Sequence, residues 1–304
     1  MVEFTIVDIE SPYDFDLSSK IFSSGDEQIA KYDKSKYWQI LRINDKLMLV
    51  VIRSIGTVEK PKLQIELKSN KEILDEDKKR AEEVICSIFN LKFDLKPFYE
   101  ALKKDRIFSR LAKEMYGLKC VTTPRVFEAL IYSIAEQQIS LNVALNIEKR
   151  LIKNFGDTSK IDNKTFYAFP DPNKLALGTV KQLRALGLTF RKAEYIRDIS
   201  RLIADGKLDL EEFKNWDNSK DITKELCKIR GIGVWTTEMM IMRGMNKWET
   251  MAADDLGLRR CISHYYCNDK KISGDEARET AEKWGKWKGL VSFYLMMAEM
   301  FEIQ

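Results

Sequence analysis

The chain is expected to fold as an α+β protein, with an antiparallel β-sheet domain over residues 1–100 followed by a helical region over residues 101–304. Three observations lead there. Short β-branched or alternating apolar runs fill the first 70 residues; beyond them apolar residues recur at three- and four-residue spacings; and 304 residues suffice for roughly two domains of ~150 residues each. The composition, 44% hydrophobic, 11% aromatic and 32% charged with 14 Gly and 6 Pro, excludes a disordered, collagenous or linker-dominated chain.

Residues 4–9, 38–43, 47–52 and 63–67 read as strands. Asn44-Asp45 separates the second from the third as a hairpin turn, which makes the sheet antiparallel. Residues 76–89, 125–136, 141–154 and 191–204 follow as amphipathic helices. Gly156, Gly187 and Gly206 lie just past helical stretches as stops, and Asp171-Pro172 opens a further helix. The lysine-rich residues 71–80 read as a solvated helix face. The change of texture falls between residues 70 and 120, and no repeat or low-complexity tract interrupts it.

Lys and Arg number 51 against 47 Asp and Glu, and a net charge of +4 is too weak to identify an anionic partner. The single histidine, His264, reads as a surface or packing residue and leaves little room for histidine-based metal sites or Ser-His-Asp chemistry. The five cysteines are odd in number and scattered, with no Cys-x-x-Cys pair, which fits a reducing compartment better than disulfides, zinc or an iron–sulfur cluster. The first residues lack the pattern of a signal peptide, and the apolar run at 47–52 is far short of the ~20 residues of a membrane helix. The expectation is a soluble, cytoplasmic, monomeric protein with no membrane partner.

Residues 224–243 carry the sharpest local signal. Two helical flanks enclose Gly231-Ile-Gly233, where glycines permit positive φ and bring backbone N–H groups to the surface. The second helix starts near Val234, and its open N-terminus suits a phosphate oxygen of a nucleic-acid backbone, without regard to base sequence. On the pattern alone, a purely structural turn explains these glycines equally well.

Leu226-Cys-Lys-Ile-Arg-Gly-Ile-Gly-Val-Trp-Thr236 resembles the hairpin of the helix-hairpin-helix (HhH-GPD) DNA glycosylase superfamily, whose members carry a Gly/Pro-rich loop and an essential aspartate. In that family an Ala-x-Asp segment follows about twenty residues past the second glycine, and Met251-Ala-Ala-Asp-Asp255 sits at that spacing. The resemblance makes Asp255 the catalytic acid and leaves Asp254 as an ordinary helix N-cap. Residues 124–140, ending Gln137-Gln-Ile-Ser140, resemble the family's helix and the loop whose tip enters the duplex, with Gln138 as the wedge and Gln137 beside it. Residues 183–196, through Arg191-Lys-Ala193, resemble the helix start that precedes the hairpin. The likeness covers residues 90–304 well and the N-terminal sheet more weakly, and it implies a helical region of two lobes with the site between them.

Two residues past Gly233, where the bifunctional branches carry a lysine that attacks C1′, this chain has Trp235. An indole offers no nucleophilic amine, and Lys228 in the preceding helix is out of register, so Schiff-base chemistry and strand cleavage are not expected. Trp235 is similar to the AlkA-like 3-methyladenine branch, which uses an aspartate alone. A carboxylate near C1′ stabilises an oxocarbenium-like sugar and orients water, while alkylated purines are cationic and leave readily. The target base must first be flipped from the duplex at a cost of a few kcal/mol. Trp235 and Trp287, from Trp284-Gly-Lys-Trp287, are the expected aromatic pocket walls, with a cation–π gain of ~0.5–2 kcal/mol. Met239 and Leu256 stand where relatives have further aromatics, and Trp284 reads as core. The backbone carbonyls of Cys227, Ile229 and Ile232 take the positions that hold a Na⁺ or K⁺ ion in family hairpins; no other cofactor is implied. The resulting expectation is a monofunctional glycosylase that excises 3-methyladenine- or 7-methylguanine-type bases from duplex DNA. An oxidised-base, hypoxanthine or uracil glycosylase of the same fold and a non-catalytic damage-binding protein are the alternatives.

Overall fold

In the computed structural model, which describes residues 1–21 and 25–303, the chain begins with a five-stranded sheet. Its strands are β1 (Val2–Ile6), β2 (Ala30–Asp33), β3 (Lys36–Ile43), β4 (Lys46–Ser54) and β5 (Leu63–Lys68), all antiparallel in the order β1-β5-β4-β3-β2, with α1 (Phe15–Lys20) between the first two. The expected first strand stops at Ile6 and not at residue 9, because its partner β5 begins at Leu63, opposite Ile6. Strand β2 has no sequence-based counterpart. It is joined to β3 through Lys34 and Ser35, both at positive φ, and Asn44 turns β3 into β4 at φ +49°.

Both faces of this sheet are covered. Tyr37, Leu41, Ile43, Met48, Val50 and Ile52 point one way, into a core shared with Ala81, Ile85 and Ile88 of α2 (Asp75–Ile88). Ile40, Leu49 and Val51 point the other way, against Ile161 and Phe166. Those two residues belong to a two-stranded hairpin, β6 (Thr158–Ile161) and β7 (Lys164–Tyr167), turning through Asp162 and Asn163 at φ +49° and +63°. The expectation of purely helical structure after residue 100 is therefore corrected at this hairpin, which exists because the outer face of β3 and β4 is apolar and needs a cover.

The remaining elements are α3 (Lys96–Leu102), α4 (Arg106–Glu114), α5 (Val126–Glu136), α6 (Leu141–Phe155), α7 (Pro172–Leu177), α8 (Val180–Ala185), α9 (Phe190–Ala204), α10 (Ser219–Leu226), α11 (Val234–Met245), α12 (Leu256–Tyr266), α13 (Gly274–Ala281) and α14 (Lys288–Met300). The core of the sheet continues into α5, α6, α9 and α11 through Leu130, Ile134, Ile147, Ile196 and Ile241. A second core joins α3 and α4 to α12, α13 and α14 through Phe98, Phe108, Leu258, Ala277, Tyr294 and Leu295, with Trp284 just past α13. Helix α11 contributes to the first core through Met240 and Ile241 and to the margin of the second through Met242. Gly244 lets α11 lie close on α5, since a Cβ there would press on Ala129 and Val126. Among the described residues no helix is long and apolar enough to cross a membrane.

Candidate active site

Helix α10 ends at Leu226 with Cys227 as its C-cap, and short turns follow in which Ile229 N–H donates to the Leu226 carbonyl at 3.0 Å and Ile232 N–H to the Ile229 carbonyl at 3.1 Å. Gly231 has φ +96°, and a Cβ there would fall on the ring of Tyr195 from α9. Only glycine suits that position, on both conformational and steric grounds. Gly233 differs from the expectation: it is extended at φ −106° and faces open space. As the N-cap of α11 it supplies no side-chain acceptor, so the first-turn N–H groups of Val234, Trp235 and Thr236 carry no cap. What Gly233 provides is close access to those amides.

The acid sits beside this N-terminus. Asp255 is the N-cap of α12, its Oδ1 accepting the Leu258 N–H at 2.9 Å, while its Oδ2 accepts from Trp235 Nε1 at 3.3 Å. Both carboxylate oxygens are thereby oriented, one by the helix end and one by the indole. Asp255 and Trp235 are each half-buried. A Cβ on Gly257 would lie 3.2 Å from Asp255 Oδ1 and 3.4 Å from Met296 Cε, so the glycine keeps the acid's surroundings clear. The N-cap role expected for Asp254 thus belongs to its neighbour. Asp254 Oδ2 accepts instead from Arg278 Nη2 at 2.8 Å, and Arg278 Nη1 donates to Glu238 Oε1 at 2.7 Å. Glu238 is buried on α11; burial pushes its carboxyl pKa up, and the Arg278 guanidinium partly offsets that.

Met239, one turn after Trp235, is half-buried, and Leu256 is exposed beside the acid. Trp287 packs elsewhere, with ring centroids 5.5 Å from Phe98 and 6.4 Å from Phe93 and the Lys286 ammonium 4.9 Å from its own ring. The structure therefore joins Trp235 to Asp255 by a direct bond, whereas Trp287 packs on Phe98 of α3 and on Phe93 just before it. Trp284 is buried edge-on to Tyr266, as core. Met296 of α14, half-buried between Gly257 and Cys261, escaped the sequence reading because nothing local marks it. His264 is exposed and bonded to Asp269 at 2.9 Å.

The two loop glutamines have separate surroundings. Gln137 Nε2 donates to the Gly231 carbonyl at 3.2 Å and to Thr236 Oγ1 at 2.9 Å, stitching the loop to the hairpin. Gln138 is exposed, at φ +55°. Behind them the last turn of α5 is held by two cations. Lys192 Nζ donates to the carbonyls of Ala135 at 2.9 Å and Gln137 at 2.5 Å, and Arg243 Nη1 to both oxygens of Glu136 at 2.7 and 2.6 Å. The Arg191-Lys192-Ala193 start of α9 was visible in the sequence; its grip on α5 was not.

A glycine-opened helical hairpin, a carboxylate capping the next helix against it, and an antiparallel sheet packed on the same helices define a DNA-binding enzyme of base excision repair, a DNA glycosylase that hydrolyses N-glycosidic bonds. The chain belongs to the HhH-GPD superfamily of base excision DNA repair proteins, which matches residues 131–286. Residues 19–130 match the 8-oxoguanine DNA glycosylase N-terminal domain. Over 219 residues the chain is 36% identical to a DNA-3-methyladenine glycosylase of Bacillus subtilis, covering 71% of this chain and 72% of that one. Its fold is shared with a 3-methyladenine DNA glycosylase of Archaeoglobus fulgidus, at 24% identity, a TM-score of 0.86 and 98% of each chain. It is also shared with an 8-oxoguanine glycosylase/lyase of Clostridium acetobutylicum in complex with DNA, at 20% identity, a TM-score of 0.78 and 100% and 99% of the two chains.

Proposed function

We propose that the chain is a monofunctional glycosylase that excises alkylated, cationic purines of the 3-methyladenine and 7-methylguanine type from duplex DNA. The observation that carries this reading is the bond between Trp235 and Asp255 at the hairpin: an indole stands where covalent chemistry needs an amine, and it holds the acid in place. With the target base flipped out, the open amides of α11 grip a backbone phosphate and Gln138 fills the gap left in the stack. Asp255 then faces C1′, where its charge stabilises the oxocarbenium-like sugar as the C1′–N bond breaks, and it takes the proton of the water that adds to C1′. The electron pair of the broken bond goes to the purine, which leaves neutral because it was cationic, so no general acid is required. Trp235, Met239 and Leu256 line the pocket beside the acid, while Trp287 stays with Phe98 and Phe93.

The hairpin carbonyls fit a monovalent cation as a donor set: three neutral oxygens on Cys227, Ile229 and Ile232, of which that of Ile229 accepts one N–H and retains a second lone pair. A Na⁺ or K⁺ ion there would supply positive charge beside a bound phosphate. The match of residues 19–130 to an 8-oxoguanine glycosylase domain favours a second reading, in which the base is an oxidised purine. Single-turnover base release from duplexes carrying 7-methylguanine, 3-methyladenine, hypoxanthine or 8-oxoguanine separates the two. Release of the alkylated bases with no borohydride-trapped adduct is expected; preferential release of 8-oxoguanine, or a trapped adduct, overturns the proposal.

A further inference from the structure

We infer that Lys192 is a positioning residue for base extrusion: through two backbone carbonyls its ammonium sets the loop that presents Gln138. This rests on the glycosylase reading above and goes beyond it by assigning a role to a residue that touches neither base nor phosphate. Lys192 stands in the first turn of α9 and is 7% exposed. A lysine at a protein surface runs its stem over apolar groups and keeps its charge in water. Here the charge is turned inward, and among the described residues it forms no ion pair with a carboxylate; its acceptors are the Ala135 and Gln137 carbonyls. A buried ammonium is costly unless it is hydrogen-bonded, and the negative end of the α5 dipole supplies the offsetting field.

The backbone at the grip explains what the arrangement achieves. Gln137 leaves the helix at ψ 124°, and Gln138 takes a positive φ of 55° that an L side chain rarely adopts. Three consecutive residues are tied down immediately before it: Ala135 by Lys192, Glu136 by Arg243, and Gln137 by Lys192 and by its own side chain to Gly231 and Thr236. Helix α9 also carries Tyr195 beneath Gly231, so one helix places both the wedge loop and the phosphate-binding turn. Without the ammonium, the Gln137 carbonyl loses its acceptor role and Gln138 is free to relax out of its exposed geometry.

The test is single-turnover release of 7-methylguanine by the full-length chain, from a duplex and from the same strand unpaired, for wild type, Lys192→Met and Lys192→Arg. A single strand needs no wedge, so Lys192→Met is expected to lose about 10-fold or more on the duplex and less than about 2-fold on the single strand, with Lys192→Arg restoring duplex release. Adding Gln138→Gly to Lys192→Met is expected to cost little more, since both remove the same wedge. Unchanged duplex release by Lys192→Met overturns the inference, as does an equal loss on both substrates, which marks a merely structural lysine. If Lys192→Met does not fold, Lys192→Ala, which also removes the donor and leaves room for water, replaces it under the same criteria. A wild-type chain that releases the base from neither substrate defeats the glycosylase reading itself, which is a different result from an active wild type matched by its variant.

Discussion

Asp255→Asn separates the two jobs of one side chain. In the folded protein Asp255 Oδ1 caps α12 through the Leu258 N–H, and Oδ2 receives the Trp235 indole N–H. Asparagine caps a helix about as well as aspartate, so the loss is mainly that of a charge at a helix N-terminus, ~0.3–1 kcal/mol. For a chain of this size that lowers Tm by no more than about 4 °C. Its effect on the reaction is expected to be far larger. A carboxylate about 4 Å from a sugar cation, at an effective dielectric of about 20, contributes ~4 kcal/mol, and losing it slows base release by ~10³-fold. The assay is single-turnover release of 7-methylguanine from a duplex, with fluorescence anisotropy on an abasic duplex as the binding control. Asp255→Asn is expected to bind the abasic duplex within a few-fold of wild type, and Asp255→Ala to lose about 1 kcal/mol more stability than Asn because the cap goes as well. An Asn variant within about tenfold of the wild-type rate would refute the assignment; so would a loss of DNA binding or a collapse in Tm that accounts for the loss of rate.

The two hairpin glycines are expected to respond oppositely to alanine. Gly231→Ala, at φ +96° and against Tyr195, should cost ~2 kcal/mol or more by thermal melting, whereas Gly233→Ala should leave Tm nearly unchanged and weaken binding of undamaged duplex; equal Tm losses would contradict the geometry. Glu148, whose carboxyl is pushed up to about 8 by burial and by the nearby Glu136 charge, offers a pH test. Its folded pKa lies above its ordinary value, so the fold favours the protonated form: stability is full below about pH 4.5 and declines as pH rises towards 8. Glu148→Gln should therefore melt above wild type at pH 8, by about 2 °C or more, and the gap should close near pH 4.5; a gap independent of pH would exclude the mechanism. Arg278→Met strips the buried Glu238 of its partner and should destabilise by ~2 kcal/mol or more, with Glu238→Gln in the same chain recovering part of the loss; a double variant less stable than Arg278→Met alone would argue against that account.

How far these features could be read from the sequence depends on how local their causes are. The strands with strong alternation were legible: residues 38–43, 47–52 and 63–67 lie within β3, β4 and β5, and Asn44 turns where expected. Strands β2, β6 and β7 were not, because each has four residues and is largely polar, and what makes them strands is pairing and the apolar face they cover. The hairpin and the acid segment were legible as spacing, since glycines and acids leave a local mark. The division of labour between Asp254 and Asp255 was not: it is settled by Arg278, 24 residues away from Asp254 and on α13. Lys192 shows the same limit. Its position in the Arg191-Lys-Ala193 start was plain, but a lysine in a first helical turn gives no sign that its charge points inward to residues more than 50 positions earlier.

Helix α11 makes these long-range bonds interdependent. Its N-cap Gly233 leaves the first-turn amides open; Trp235 reaches Asp255; Thr236 receives Gln137 of the loop after α5; Glu238 receives Arg278, which also binds Asp254; and Arg243, near its end, grips Glu136 at the base of that same loop. Successive residues of a helix point about 100° apart, so a single rigid rod addresses all these elements from different faces. Moving the rod by a fraction of a turn breaks the acid contact and the loop contacts together. That coupling explains how a chain with a net charge of only +4 can place its charges usefully. On the proposed function, Lys192 and the half-buried Arg243 serve geometry, and the uncharged amides at the helix end would meet phosphate with a pull that depends on orientation more than on total charge. Substitutions in the Gln137–Thr236 and Trp235–Asp255 contacts should consequently be non-additive in base release, with a coupling energy of ~0.5 kcal/mol or more in a double-mutant cycle. Strict additivity would mean that the helix flexes between the two contacts and that the loop and the acid are set independently.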